Sequence, residues 1–490
     1  MSNQKSYIAV DLGAESGRVM LGTISDKKLT LEEMHRFETG ATPRGDSIRW
    51  DVERIFGEIK TGIAAAAKKT GDSAVSIAFD SWGVDFGLIG KDGKLLEEPF
   101  HYRDERNLGM IDEASKILSK REIYENTGIQ FLQFNTLFQL LSLKKSRPEI
   151  LEMTDKIIMM ADLFAYMLCG RAFSEYTLAS TGQMVDMRTG QWNSKLLKTF
   201  DIDKDMLPEI VKPGTVVGKI SPEAAKELGC TELAVVACGS HDTACAVAAV
   251  PAEKDSQWAY LSSGTWSLLG LEVDEPIIND ETFSEQFTNE GGVYGTIRLL
   301  KNIMGLWLIQ ESRRYWLENG KEYSYPELED MAEKTEPFQG VVDTQYHEFM
   351  MPGDMPAKIN RCLEKLGYEC TDEPAKISRV IVDSLAVAYR KCLERLEALT
   401  GKKTNVLHIV GGGTKHLLLC QCAANILGRK VAAGPVEATA SGNVLVQAIA
   451  SGQVESLEEA REMVANSFEV KIYEPKDTDK WDAFYKSVPF

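Results

Sequence analysis

Short β-branched runs alternate along this chain with longer segments whose apolar residues recur every three or four positions, a pattern that predicts an α/β protein. "SYIAVDLGAESGRVMLGTI" carries such runs on both sides of a Gly-containing turn and predicts a hairpin, to which "LTLEEMHRFET" adds a third strand. "WDVERIFGEIKTGIAAAAKKTG" has the helical period and stops at a glycine. "SAVSIAFDSWGVDFGLIG" reads as buried strand, turn and strand, and residues 105–170 as mostly helical. "EIVKPGTVVGKIS" reads as loop and short strand, and "ELAVVACGSHDTACAVAAV" as strand, turn and helix.

The pattern then starts again. "QWAYLSSGTWSLLGLEV" repeats the first hairpin, and "LLKNIMGLWLIQESRRYWLENG" predicts one amphipathic helix. "AKISRVIVDSLAVAYRKCLERLEALTG" predicts another helix, "NVLHIVGGGTKHLLLCQCAANILG" a strand, three glycines and a helix, and "KVAAGPVEATASGNVLVQAIASG" closes the set. Hairpins around Gly13 and Gly264 imply two related halves, with the restart in the polar stretch 250–257, so the domains are expected at 1–250 and 251–490.

Length supports that division, because 490 residues exceed what one core accommodates. A composition of 44% hydrophobic and 26% charged residues is that of a globular protein. The net charge of −18 and the lack of a basic stripe argue against a nucleic-acid partner. The N-terminus lacks the order of a signal peptide, and no apolar run reaches the length of a membrane span. The nine cysteines are scattered, and Cys420 and Cys422 do not have metal-site spacing. A cytoplasmic protein with free thiols is the expectation.

No GxxxxGK[ST] occurs, and no GxGxxG follows a strand, so neither a P-loop nor a Rossmann cofactor site is supported. Two turns rich in Gly, Ser and Thr remain, "DLGAESGR" and "SSGTWS". Each is either an ordinary hairpin turn or a set of backbone N–H groups aimed at an anion. Asp11 beside the first turn is either turn chemistry or a magnesium anchor acting through water. The glycines of "VGGGTK" serve a steep turn or the close approach of a ligand, and Glu437, Ala438 and Ser441 line a pocket or cap a helix. In "GSHDTACAV", Ser240 or Asp242 caps the following helix, or Asp242 does chemistry.

Taken together, "VDLGAESGRVML", "FDSWGVDFGLI", "YRDERN", "GIQFLQFNTLFQL", "GSHDTACAV", "YLSSGTWSLLG", "TNEGG", "LLKNIMGLWLIQ", "HIVGGG" and "AGPVEATASGN" resemble the FGGY family of carbohydrate kinases over roughly residues 7–475. "DSWGVDF" and "LKNIMGLWL" are similar to its L-rhamnulose-phosphorylating branch. The resemblance implies a two-domain actin-like ATPase (ribonuclease H-like) fold, with a duplicated core and an interdomain cleft that closes on substrate. Residues 1–250 would bind sugar and 251–490 nucleotide. It implies ATP and Mg2+ as cofactors, a small-molecule ketose as substrate with neither nucleic acid nor membrane as partner, and conversion of L-rhamnulose to L-rhamnulose 1-phosphate.

The resemblance matches Asp242 to a general base, which would orient a sugar hydroxyl and take its proton as the O–P bond forms. His241 and Gly83 match sugar contacts, with Trp82 and Asp85 as neighbours that shape the site or bond the sugar. Ala14, Glu15, Ser16, Gly17 and Arg18 in the first turn, Thr265 in the second, and then Asn302, Gln310 and Gly412 match nucleotide contacts. Asn302 and Gln310 are eight apart and are expected on one face of one helix. Phe131, Phe134 and Trp307 are expected in the core. Glu15 stands where relatives carry a small hydroxyl residue. Lys415 and His416 stand where relatives carry amides, and either alter adenine contacts or lie at the surface. Phosphorylation of another ketose (L-fuculose or xylulose) and an actin-like ATPase without a sugar are the competing readings.

Overall fold

Two mixed sheets flanked by helices carry the fold, and the second repeats the first. The computed structural model describes residues 4–254 and 256–490, so the start of the N-terminal stretch and Asp255 in the expected boundary lie outside the described residues. The first sheet has the order Thr215–Lys219, Ala234–Ala237, Ala74–Ser81, Lys5–Leu12, Ser16–Ser25, Lys28–Glu38. The second contains the order Lys471–Tyr473, Lys430–Ala433, Val406–Val410, Trp258–Ser263, Trp266–Val273, Ile297–Met304. At the centre of each is an antiparallel hairpin. Two parallel strands follow on one side, and an antiparallel edge strand closes that side. This is the duplicated core that the repeated hairpins imply.

The chain does not divide at a single point. One compact unit comprises Met1–Pro251, Glu272–Leu299 and Ala438–Ser467; the other comprises Ala252–Leu271, Leu300–Glu437 and Phe468–Phe490. In the first unit, Lys5–Leu12 is buried along seven of its eight residues, as expected for a central strand covered on both faces. Helix Val52–Thr70 packs on the hairpin so closely that a Cβ at Gly62 would come within 2.4 Å of Val19 Cγ2. Helix Ala438–Ala450 does the same at Gly22, where a Cβ would lie 2.4 Å from Val444 Cγ2. Among the described residues, no helix is long and apolar enough to cross a membrane.

The segment around Asn302 differs from its sequence reading. Ile297–Met304 is a strand, and the helix begins only at Trp307. Gly305 makes the break: a Cβ there would come within 2.7 Å of Ser267 Oγ and 2.9 Å of the Gly264 carbonyl oxygen. The second hairpin's turn is seated directly on this glycine. Short apolar runs satisfy strand and helix periods alike, so the pattern before Gly305 did not discriminate. Asn302 is therefore on the strand and Gln310 on the helix, not on one helical face. A strand at Thr154–Met159 also interrupts the mostly helical stretch, pairing with Phe86–Gly90.

Candidate active site

The turn between strand Ala234–Ala237 and helix Asp242–Ala248 is held from several directions. Ser81 N donates to the Ser240 carbonyl at 2.8 Å. Glu175 Oε2 accepts from Ser240 N at 3.0 Å, and Thr177 Oγ1 accepts from His241 N at 3.2 Å. His241 occupies the N-cap position without a side-chain cap, and Asp242 is the first helical residue. Its Oδ1 accepts from Thr243 N at 2.5 Å and from Thr243 Oγ1 at 3.1 Å. Among the described residues no hydrogen bond engages Oδ2, which leaves that oxygen for an incoming hydroxyl. The Asp242 side chain is 31% exposed, and His241 Nε2 lies 3.5 Å from its Oδ1. Desolvation raises the Asp242 carboxyl above its ordinary range, His241 opposes the rise, and the Asp11 charge adds to it. A raised carboxyl is the direction a general base requires.

Asp11 and Asp80 are register partners on adjacent parallel strands. Asp11 pairs with Arg18 across the hairpin. Asp80 is fully buried; its Oδ2 accepts from Asn443 Nδ2 at 2.6 Å. Burial, then Asp11, drive the Asp80 carboxyl well above the usual range, with Asp242 contributing. Asp11 and Asp242 both repel the Asp80 carboxylate, and carboxylate oxygens are the ligand type that hard divalent cations such as Mg2+ prefer.

Gly83 and Val84 form the turn after Asp80. A Cβ at Gly83 would come to 3.0 Å from Thr181 Oγ1, which also accepts from Val84 N at 3.1 Å. Val84 has φ +71°, a left-handed conformation that costs a β-branched residue about 1–3 kcal/mol and persists only when neighbours enforce it. Thr136 Oγ1 completes the clamp, donating to the Val84 carbonyl at 2.7 Å.

Asp85 is wholly buried. Its Oδ2 accepts from Trp50 Nε1 at 2.7 Å, Trp82 Nε1 at 3.1 Å and Tyr102 N at 3.1 Å, and its Oδ1 accepts from Gln139 Nε2 at 2.8 Å. Burial lifts its pKa to about 6 against these donors. The carboxylate thus ties together a ring stack in which Trp50 lies 3.9 Å from Trp82 and 4.2 Å from His101. Phe134 and Trp307 are buried, while Phe131 is half-buried.

In the second unit, Thr265 Oγ1 donates to Gln310 Oε1 at 3.1 Å, which brings two of the expected nucleotide residues together. Asn302 lies apart on its strand, its carbonyl accepting from Gln345 Nε2 at 2.9 Å. The three glycines have separate reasons. Gly411 has φ +83°, and a Cβ at Gly413 would fall 2.0 Å from Ser263 Oγ. Gly412 is exposed with nothing within 4 Å of a Cβ, open to a flat ligand. His416 caps helix Leu417–Leu427, its Nδ1 accepting from Leu419 N at 3.3 Å, and Lys415 is exposed. In the first turn, Ala14 and Ser16 are half-buried, Gly17 is buried, and Glu15 is exposed.

Sequence reasoning missed Glu175, Glu290, Arg298 and Asn443, all of which meet the site from distant segments. Glu175 is fully buried, accepts from Thr177 Oγ1 at 2.5 Å and Leu178 N at 3.1 Å, and has its pKa lifted by burial to about 7. Its folded pKa is above the ordinary 4.5. The folded state therefore holds a proton that the unfolded state releases, and the stabilisation, full below pH 4.5, is lost as pH rises through about 7. We expect the stability difference between wild type and Glu175→Gln to change by about 3 kcal/mol over that window. Urea titrations across pH would check this, and a pH-independent difference would contradict it.

A family model described as the FGGY family of carbohydrate kinases, N-terminal domain, matches residues 6–249, and its C-terminal counterpart matches residues 259–451. The chain is 42% identical to the rhamnulokinase of Bacteroides thetaiotaomicron over 98% of both chains. It is 41% identical to that of Ligilactobacillus salivarius over 96% of both. Among solved structures, the gluconate kinase of Lactobacillus acidophilus superposes with a TM-score of 0.81 at 18% identity, covering 99% of this chain and 96% of that one.

Proposed function

Because this chain belongs to the FGGY family of carbohydrate kinases, and so to the phosphotransferases that act on sugars at the expense of ATP, we propose that its substrate is L-rhamnulose. The product is L-rhamnulose 1-phosphate, with ADP released. The observation that carries the substrate is the 42% identity to a rhamnulokinase along 98% of both chains.

The chain's own groups divide the work as follows. Asp242 Oδ2 accepts the hydrogen bond of the sugar 1-hydroxyl, while Thr243 holds Oδ1 and fixes the plane of the carboxylate. The raised carboxyl takes the hydroxyl proton as the new O–P bond forms and the bond to the ADP oxygen breaks. His241 and the Gly83 turn bind the sugar. Trp82 shapes the wall beside them, and Asp85 acts by orienting that wall, because its oxygens are taken by protein donors. Ala14 to Arg18, Thr265, Gln310, Asn302 and Gly412 contact the nucleotide. Asp11 would hold Mg2+ through water, and the ion when bound would supply positive charge for the transferring phosphoryl group.

We assign sugar binding to the half 1–250 and nucleotide binding to 251–490, with Glu272–Leu299 and Ala438–Ser467 packed into the first unit. Nine free cysteines suit a reducing compartment, and we place the reaction in the cytoplasm.

Phosphorus NMR of the product tests the regiochemistry. Phosphate on O1 of L-rhamnulose couples to the two protons of a CH2 group and gives a triplet. A doublet, from a phosphate on a CH carbon, would contradict the proposal.

A further inference from the structure

Behind His241 lies an ion pair that the reaction described above does not use. Arg298 is completely buried, and Glu290 is 4% exposed. Arg298 Nη2 lies 3.0 Å from His241 Nδ1 and 3.2 Å from Glu290 Oε2. Glu290 Oε2 is itself 3.2 Å from the same Nδ1. Arg298 Nε donates to the Gly291 carbonyl at 2.8 Å, which anchors the guanidinium to the backbone beside Glu290. Both residues lie in the segment Glu272–Leu299, which packs into the first unit with His241.

Resting on the proposed sugar kinase reaction, we infer that Glu290 and Arg298 are positioning residues that act on the sugar through His241. A guanidinium is always protonated and only donates. With Arg298 donating to Nδ1, that nitrogen must present its lone pair, so the imidazole proton sits on Nε2. Nε2 is the nitrogen on the Asp242 side, 3.5 Å from Oδ1. The arrangement keeps an Nε2–H donor beside the base, aimed at the place where the sugar hydroxyl must come. Glu290 balances the guanidinium charge, and a buried charge left without its partner is strongly destabilising. A second donor beside the base fixes which sugar oxygen faces Asp242. Glu290 falls within "TNEGG", but no local pattern ties it or Arg298 to His241, which precedes them by 49 and 57 residues.

Two measurements test the inference on the full chain. Long-range proton–nitrogen NMR of histidine-labelled wild type, with His241→Gln identifying the signal, should show an unprotonated Nδ1 and a protonated Nε2. Steady-state kinetics of Glu290→Gln and Arg298→Gln should show kcat/KM for L-rhamnulose lowered about 10- to 100-fold, as for loss of a hydrogen bond to a charged group, with KM for ATP unchanged. Arg298→Lys, which retains a donor, should recover part of the loss. A proton on Nδ1 in wild type that turns over L-rhamnulose would overturn the inference and leave the proposed reaction standing. So would wild-type sugar kinetics in both glutamine variants, or an equal loss toward ATP and sugar. Absence of turnover on any ketose would overturn both.

Discussion

Asp242→Asn should retain sugar binding and lose about 100- to 10,000-fold in kcat, the usual contribution of a positioned general base. The amide keeps an oxygen where Oδ1 accepts from Thr243, so the local fold survives. It puts an NH2 group where Oδ2 would take the hydroxyl proton. The neutral side chain also relieves the repulsion from Asp11 that helps to raise the native carboxyl, so the variant should be no less stable than wild type. Calorimetric titration with sugar and single-turnover kinetics separate the two effects. Turnover within a few fold of wild type would place the base elsewhere.

Gly442→Ala should produce the largest loss of stability from a single methyl group. A Cβ at that position would lie 1.8 Å from the Cys245 carbonyl oxygen and 2.5 Å from its carbonyl carbon. Those atoms are backbone of helix Asp242–Ala248 and cannot rotate away as a side chain can. Overpacking typically costs about 1–3 kcal/mol and occasionally more. Ala78, Cys245, Ala248 and Val446 belong to one buried cluster at this contact, which a shift of the helix would disturb. The variant should therefore unfold at lower denaturant and also lose kcat, because the displaced helix carries Asp242. Gly57→Ala is the control: nothing lies within 4 Å of its Cβ, and alanine favours the helix around it. Equal stability of Gly442→Ala and wild type would refute the close approach.

The hairpins, the glycine-terminated helices and the repeat of one half in the other were legible because each rests on local rules of period and capping. The turn of "GSHD" was legible as a place, and the resemblance to a family gave it a role. The groups that complete it were not. Asn443 reaches Asp80 from 363 residues away, and Glu175 reaches Ser240 from 65. Such pairings depend on tertiary packing that no periodicity encodes. Asn302 was misread for the opposite reason, since its local pattern fitted a helix and contact at Gly305 decided against it.

The most direct test of the account is ADP release with Mg2+ and ATP across L-rhamnulose, L-fuculose and xylulose, alongside a blank without sugar. The account predicts the highest kcat/KM on L-rhamnulose and little release in the blank. ATP hydrolysis at the same rate with and without every ketose would contradict it.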